Sequence, residues 1–369
     1  MKRNQGLSNQ AKGRGKRLAG VATSAVLACS FLAAVACTRE TLVTAPKPKP
    51  AANATPDFSL VGFASQHGST EGGAAGRTVT ATSLAELITY AKSAEPLIIK
   101  IDRKISAGAQ GASVNVKSGK TLLGVGTAGF LEGVGLNISG QKNIIVQNLK
   151  FTMSIVTNTT TNSEGRQQVA VNDGDCITIQ NGSTNVWVDH CEFYNLDPIA
   201  QPNQDLYDGL VDAKANSAYI TISWCYFHDH HKCHLIGSSD KDDFDRKVTF
   251  HHNYYYNITE RVPVYRFGTG HVFNNYYKHV YGTGVNSRMG ACLKVEKNYF
   301  EDVKDPITTK NSAQPGNWDA TGNYYTACKG SQPATSTCTL ALPYAYTTVL
   351  TEAVEVKAVV TQWAGVGKL

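Results

Sequence analysis

The chain has 369 residues, a formal net charge of +6, only 17% charged residues and 33 glycines. This composition excludes a coiled coil, a polar disordered chain and a basic nucleic-acid-binding protein. The positive surplus is local. Residues 1–36 carry six Lys/Arg and no acid, and the remainder balances at 29 basic against 29 acidic residues. No nucleic-acid partner is expected, and an anionic partner must be held by a local site, not a bulk field.

In chain order, the basic stretch 2–17 precedes an apolar run, Leu18 to Ala36, that ends in Ala34-Val35-Ala36-Cys37. This is the layout of a secretory signal, and its ending resembles a bacterial lipobox with Cys37 as the lipidated residue. Ordinary cleavage and an uncleaved anchor are the alternatives. Export follows in either main case, as a secreted protein or one lipid-anchored at the bacterial cell envelope. Residues 37–56 form a Pro/Lys-rich linker that cannot bury a core, so the folded domain is expected over 57–369. No later stretch reaches the ~20 apolar residues of a membrane span, which leaves a lipid on Cys37 as the only expected membrane link. Seven cysteines follow Cys37. Cys328 and Cys338 close a short loop and are the expected disulfide, and the odd number leaves at least one free thiol if Cys37 is lipidated.

Ser83 followed by Glu86 is a capping box, and the apolar spacing after it predicts a helix to Lys92. Next comes a repeat. Val188-Asp-His-Cys191-Glu-Phe193, Ile222-Ser-Trp-Cys225-Tyr-Phe227 and Phe250-His-His-Asn253-Tyr-Tyr255 share one pattern: alternating β-formers, Asn or Cys, any residue, then an aromatic. Val272 to Tyr277, Val295 to Phe300 and Ala320 to Tyr325 repeat it, and Ile145 to Phe151 is a weaker early copy. The closing aromatics fall at 151, 193, 227, 255, 277, 300 and 325. Their spacing settles near 22–25 residues, with longer gaps where loops intrude. Strand-period alternation and no crossover helix between copies point to an all-β solenoid, a right-handed parallel β-helix. Cys191, Cys225, Asn253, Asn275, Asn298 and Asn323 should then stack as a ladder, with the aromatics piled beside them. A β-sandwich of short strands is the competing fold. Val349 to Ala364 reads as a second, C-terminal helix, and the two helices are candidates to cover the solenoid's open ends.

Chemistry-bearing residues lie within the repeat. Asp173/Asp175 and Asp208/Asp212 are acid pairs at spacings that put each on one side of a strand, although Leu210 shares the parity of the second pair and favours a bend there. Carboxylates converging from two coils offer oxygen ligands suited to Ca²⁺; solvated turn residues, which the following glycines suit, are the alternative. His228, His230, His231 and His234 crowd one segment and read either as a zinc site or as a hydrogen-bonded stack. Arg261 and Arg266 flank Pro263 as a local cationic patch.

Read together, these segments resemble a pectate lyase of the parallel β-helix type, polysaccharide lyase family 1. Val186-Trp-Val-Asp189-His190 matches the family's WIDH box, and Asp208-Gly-Leu-Val-Asp212, Asp229-His-His-Lys232 and Val248-Thr-Phe-His-His-Asn253 follow in order. The RxPxxR box stands at Arg261 to Arg266, and Lys120 to Gly126 also fits. The resemblance covers roughly 60–365 and implies a calcium-dependent enzyme that cleaves polygalacturonate by β-elimination. It implies that Asp175, Asp208 and Asp212 hold Ca²⁺, with Asp173 auxiliary. Lys232 would meet the substrate carboxylate, Arg261 would be the base and Arg266 its support, while Asp189 and His190 would be structural. A monomer is expected. Arginine is an unusual base, since its ordinary pKa lies above ~12, so the resemblance also implies an alkaline optimum. Pectin lyase, a polygalacturonase-like hydrolase and a non-catalytic uronate-binding surface β-helix are the other readings. The loop 157–170 is long and leaves the cleft's shape open.

Overall fold

Alternating apolar residues make a short strand one-sided, and that side must be buried against another element. In the strand Leu97–Ile101, Leu97, Ile99 and Ile101 are buried while Lys100 is exposed. A computed structural model of the protein describes Thr55–Leu369, and there such strands coil into a parallel β-helix with three faces. The signal segment 1–36, Cys37 and the linker up to residue 54 lie outside the described residues.

The first face is a ten-stranded parallel sheet from Arg77–Thr80 to Asn317–Thr321. The second runs from Lys104–Ser106 to Tyr324–Thr326. The third starts at Ala112–Asn115 and passes through Ile177–Gln180, Val211–Ala213, Leu235–Ile236 and Val264–Arg266. The strand Tyr276–Arg288 joins the second and third faces, pairing with Tyr254–Glu260 through its first part and with Val264–Arg266 through its last. Because pairing is parallel and in register, each copy of the repeat lies on the one before. Val188, Ile222, Phe250, Val272 and Val295 form one such buried file. Each fully buried aliphatic or aromatic side chain contributes about 1.5–3 kcal/mol, and stacking multiplies that choice along the axis.

The predicted ladder is present. The backbone N–H of Cys225 donates to Asn253 Oδ1, Asn253 to Asn275, Asn275 to Asn298 and Asn298 to Asn323, each at 2.9–3.0 Å. Asn253, Asn275 and Asn298 are fully buried, so these bonds satisfy amides that would otherwise be costly to bury. Beside them the rings of Phe151, Phe193, Phe227, Tyr255, Tyr277, Phe300 and Tyr325 stack at centroid separations of 4.5–5.3 Å. That matches the ~4.8 Å spacing of adjacent strands.

Helix α1, Leu84–Lys92, is capped by Ser83, whose hydroxyl accepts from the Glu86 N–H; Glu86 in turn accepts from the Thr82 N–H at 2.8 Å. It buries Leu87 and Ala91 against the first coils and closes that end of the core. Helix α2, Ala353–Trp363, does not close the other end. It lays Val356 and Val360 on Tyr254, Tyr276 and Tyr299, along the side of the solenoid. The tyrosines make an outward apolar stripe across three coils, and the helix covers it.

Two further expectations change. Cys338 pairs with Cys292, 46 residues away, and not with Cys328. The chain returns after residue 330 so that the Cys338 N–H donates to Trp318 O, one coil above Cys292, whose register partner is Asn317. Cys328 stays free, half-buried against Phe300 O, as do the buried Cys176, Cys191, Cys225 and Cys233. The long 157–170 segment contains an antiparallel hairpin, Thr159–Thr161 with Gln167–Val169.

Candidate active site

The third face and its flanking corner gather the acids. Asp212 lies in Val211–Ala213, in register with Thr178 of the preceding coil. Asp175 stands just before Ile177–Gln180, and Asp208 lies in the bend before Asp212, as Leu210's parity foretold. One carboxylate oxygen from each of Asp175, Asp208 and Asp212 lies within 4.8 Å of the others. Asp173 is not part of this group. It is exposed in a tight turn with φ 54°, and its carbonyl accepts the Asp208 N–H at 3.2 Å. The turn thus breaks the strand parity on which the first acid pair was read.

Each triad member is held differently. Asp175 is fully buried and accepts from the Gly209 N–H at 2.7 Å, Thr178 Oγ1 at 2.7 Å and Lys214 Nζ at 3.1 Å. Burial nevertheless pushes its pKa up. Asp212 is also fully buried. Its Oδ1 accepts from the Leu235 N–H at 2.9 Å, while Oδ2 has no hydrogen-bond partner and Lys214 Nζ stands 3.7 Å off. Burial, and then the charge of Asp175, raise its pKa well above the carboxylate range. Asp208 goes the other way: burial opposes its charge, but Lys232 and Arg261 outweigh it and lower the pKa. Gly209 lets this loop close, since a Cβ there would lie 2.3 Å from Asp212 Oδ1.

The cations surround the acids. Lys232, almost fully buried, places Nζ 2.8 Å from Asp208 Oδ1 and 2.7 Å from Asp205 Oδ1. Arg261 holds the left-handed backbone conformation, φ 63°, with Nη1 3.6 Å from Asp208 Oδ1 and Nε 3.9 Å from Glu260. Such a backbone on a non-glycine residue is strained and is retained where its neighbours fix it. Arg266 ends the strand Val264–Arg266 and is anchored to the loop beyond Gly237, with Nε 2.9 Å from Asp240 and Nη1 3.0 Å from Gly237 O. Arg288 is its register partner one coil on. Burial, and then the charge of Arg266, push the Arg288 pKa down to about 10, and its Nε is buried without a partner.

Three groups here were not singled out from the sequence. Lys214 shares Asp212's strand parity, and Arg288 lies one coil beyond Arg266, so both carried a signal that the repeat could have exposed. Asp205 carried none: it sits on an irregular loop, where it pairs with both Arg166 and Lys232. The four histidines do not converge. His230 and His234 are buried and their pKa values fall to about 3, with Asn195 and the Val211 carbonyl as partners. His228 pairs with Asp229 and Glu192, and His231 contacts Thr259 and Gln201 O. Among the described residues the Asp175–Asp208–Asp212 set is the one cluster able to hold a metal ion. Asp189 and His190 are buried on the first face, joined at 2.7 Å, with Phe58 of the N-terminal arm against the His190 ring.

A protein-family model described as pectate lyase matches residues 24–369. The chain belongs to the pectate lyase family. A pectate trisaccharide-lyase of Bacillus licheniformis is 42% identical over 323 residues, covering 86% of this chain and 89% of that one. A pectate lyase from a Bacillus species, crystallised with trigalacturonate, shares the fold at a TM-score of 0.72 and 32% identity, over 84% of this chain and 99% of that one. Pectate lyase C of Erwinia chrysanthemi, crystallised with Ca²⁺, gives a TM-score of 0.68 at 25% identity, over 84% and 97%. As a pectate lyase, the protein is a polysaccharide lyase built on a parallel β-helix, and the sandwich reading falls.

Proposed function

We propose that the enzyme cleaves polygalacturonate, the demethylated form of pectin, at the Asp175–Asp208–Asp212 site in a calcium-dependent β-elimination that leaves 4,5-unsaturated oligogalacturonates. The observation that carries this reading is the buried Asp212 Oδ2 with no hydrogen-bond partner beside two further carboxylates. Such an arrangement is costly on its own and fits a hard divalent cation bound through oxygen. The set contains no thiolate or imidazole, which argues for calcium over softer metals. Bound there, the ion would supply Lewis-acid neutralisation of a uronate carboxylate.

The chain's own residues supply the rest. The C5 proton of a galacturonate is α to a carboxylate, and its removal builds negative charge on that group. Lys232 holds a fixed positive charge at the triad, and the sugar carboxylate takes the place that Asp205 fills beside it. Arg261, held 3.6 Å from Asp208, takes the C5 proton at a neutral guanidine nitrogen, having first given up one of its own protons to solvent. The electrons of the broken C5–H bond form the C4–C5 double bond, the C4–O bond breaks, and the departing sugar oxygen gains a proton from water. Arg266 and Arg288 present cations to carboxylates along the same face. A neutral methyl ester would use neither the ion nor these cations, which disfavours pectin lyase. Hydrolysis calls for neither Lys232 nor Arg261, and simple uronate binding has no use for Arg261.

The signal-like N-terminus supports export, with Cys37 as the candidate lipid site. The proposal is tested with polygalacturonate in calcium or in chelator, followed by ultraviolet absorbance of the unsaturated product. Calcium-dependent absorbance supports it; new reducing ends without absorbance mean hydrolysis, and neither signal means binding alone.

A further inference from the structure

The face that carries the triad continues for several coils toward the N-terminal end. Asn115, Asn137, Thr178 and Asp212 form one file of register partners. Two residues on, with the same outward parity, lie Lys117, Ser139, Gln180 and Lys214, of which Ser139 and Gln180 are direct partners. Lys117 therefore stands three coils before Lys214, about 14 Å along the axis at ~4.8 Å per coil.

A cleft of about 280 Å³ opens there, lined by Lys92, Asn115, Lys117, Asn137 and Gln141 among others. No carboxylate lines it, and among the described residues neither Lys92 nor Lys117 forms an ion pair. Both ammonium groups are exposed. The amides are held in place: Asn137 Nδ2 donates to Asn115 Oδ1 at 2.8 Å, Gln180 Nε2 to Asn137 Oδ1 at 3.0 Å, and Gln141 Oε1 accepts from Ser118. Fixed amides offer remaining donors and acceptors to hydroxyls, and two unpaired ammoniums attract carboxylates. A uronic-acid chain carries both groups on every unit.

We propose that this cleft is a distal subsite for a galacturonate unit of a chain already engaged at the triad, with Lys92 and Lys117 as its carboxylate-binding groups. The proposal rests on the substrate assigned above. It makes recognition depend on chain length, because a short oligomer at the triad ends before it reaches Lys117.

The test is a Lys92→Glu/Lys117→Glu variant, assayed by absorbance on polygalacturonate and on the shortest oligogalacturonate that the wild type cleaves. Both side chains are exposed, so the fold is retained. The expected result is a roughly tenfold loss of kcat/KM on the polymer, carried by KM, with the short substrate unchanged. Equal losses on both substrates, or no loss on the polymer, would overturn the subsite. Wild-type protein that releases no unsaturated product from either substrate would instead overturn the assigned reaction.

Discussion

Asp212→Asn should stabilise the protein without divalent ions and destroy its response to them. In the triad, carboxylate oxygens lie within 4.8 Å of one another. At that separation two unit charges repel by about 3.5 kcal/mol at an effective dielectric near 20. Asp212 faces two such neighbours, Asp175 and Asp208, and Lys214, 3.7 Å from Asp212, offsets about 4.5 kcal/mol of the combined repulsion, which leaves a net gain of about 1–3 kcal/mol for removing the Asp212 charge. Asparagine keeps the Oδ1 that accepts from the Leu235 N–H. The sign also fixes a pH dependence. Burial and Asp175 raise the folded pKa of Asp212, so the folded state keeps the proton to higher pH than the unfolded chain does. Stability in chelator therefore falls as pH rises above the ordinary carboxylate value of about 4, and the variant lacks that fall. Urea unfolding at neutral pH, in chelator and in calcium, reads both effects. The variant should have the higher midpoint in chelator, and only the wild type should gain from calcium. A variant less stable than wild type in chelator, or one that gains equally from calcium, would refute the reasoning.

Arg261→Lys should lower kcat by at least a hundredfold with an unchanged circular dichroism spectrum, since lysine keeps the charge but not the guanidinium; retained turnover would remove Arg261 from the reaction. Asp205→Asn should free Lys232 from one of its two carboxylates and lower KM several-fold at constant kcat; a fall in kcat would make Asp205 a positioning residue instead. Arg288 loses its proton near pH 10, so the KM for polygalacturonate should climb as pH passes that value, and Arg288→Ala should raise KM at lower pH and flatten the climb. A pH profile of KM that is the same in the variant would exclude Arg288 from substrate binding.

The solenoid was legible because parallel pairing forces chemically equivalent residues into one file. Asn253, Asn275, Asn298 and Asn323 announce their own stacking, and the closing aromatics announce theirs. The acids of the triad were legible for a related reason, lying at fixed offsets from strands whose phase the ladder sets. What escaped depends on where irregular segments go. Asp205 reaches Lys232 from a loop whose path no periodicity dictates. Asp173 follows a turn that breaks strand parity. Cys338 finds Cys292 only because the chain after residue 330 folds back along a neighbouring coil. The C-terminal helix showed its apolar positions, but not that the outward tyrosines of three coils would claim them.

The proposed elimination needs three carboxylates, Lys232 and Arg261 to converge on a single sugar acid. Its most direct measurement is a crystal of the Arg261→Lys variant soaked with calcium and an oligogalacturonate. Anomalous density is expected for an ion among Asp175, Asp208 and Asp212, with one uronate carboxylate reaching both that ion and Lys232. An ion bound elsewhere, or a sugar lying on another face of the β-helix, would contradict it.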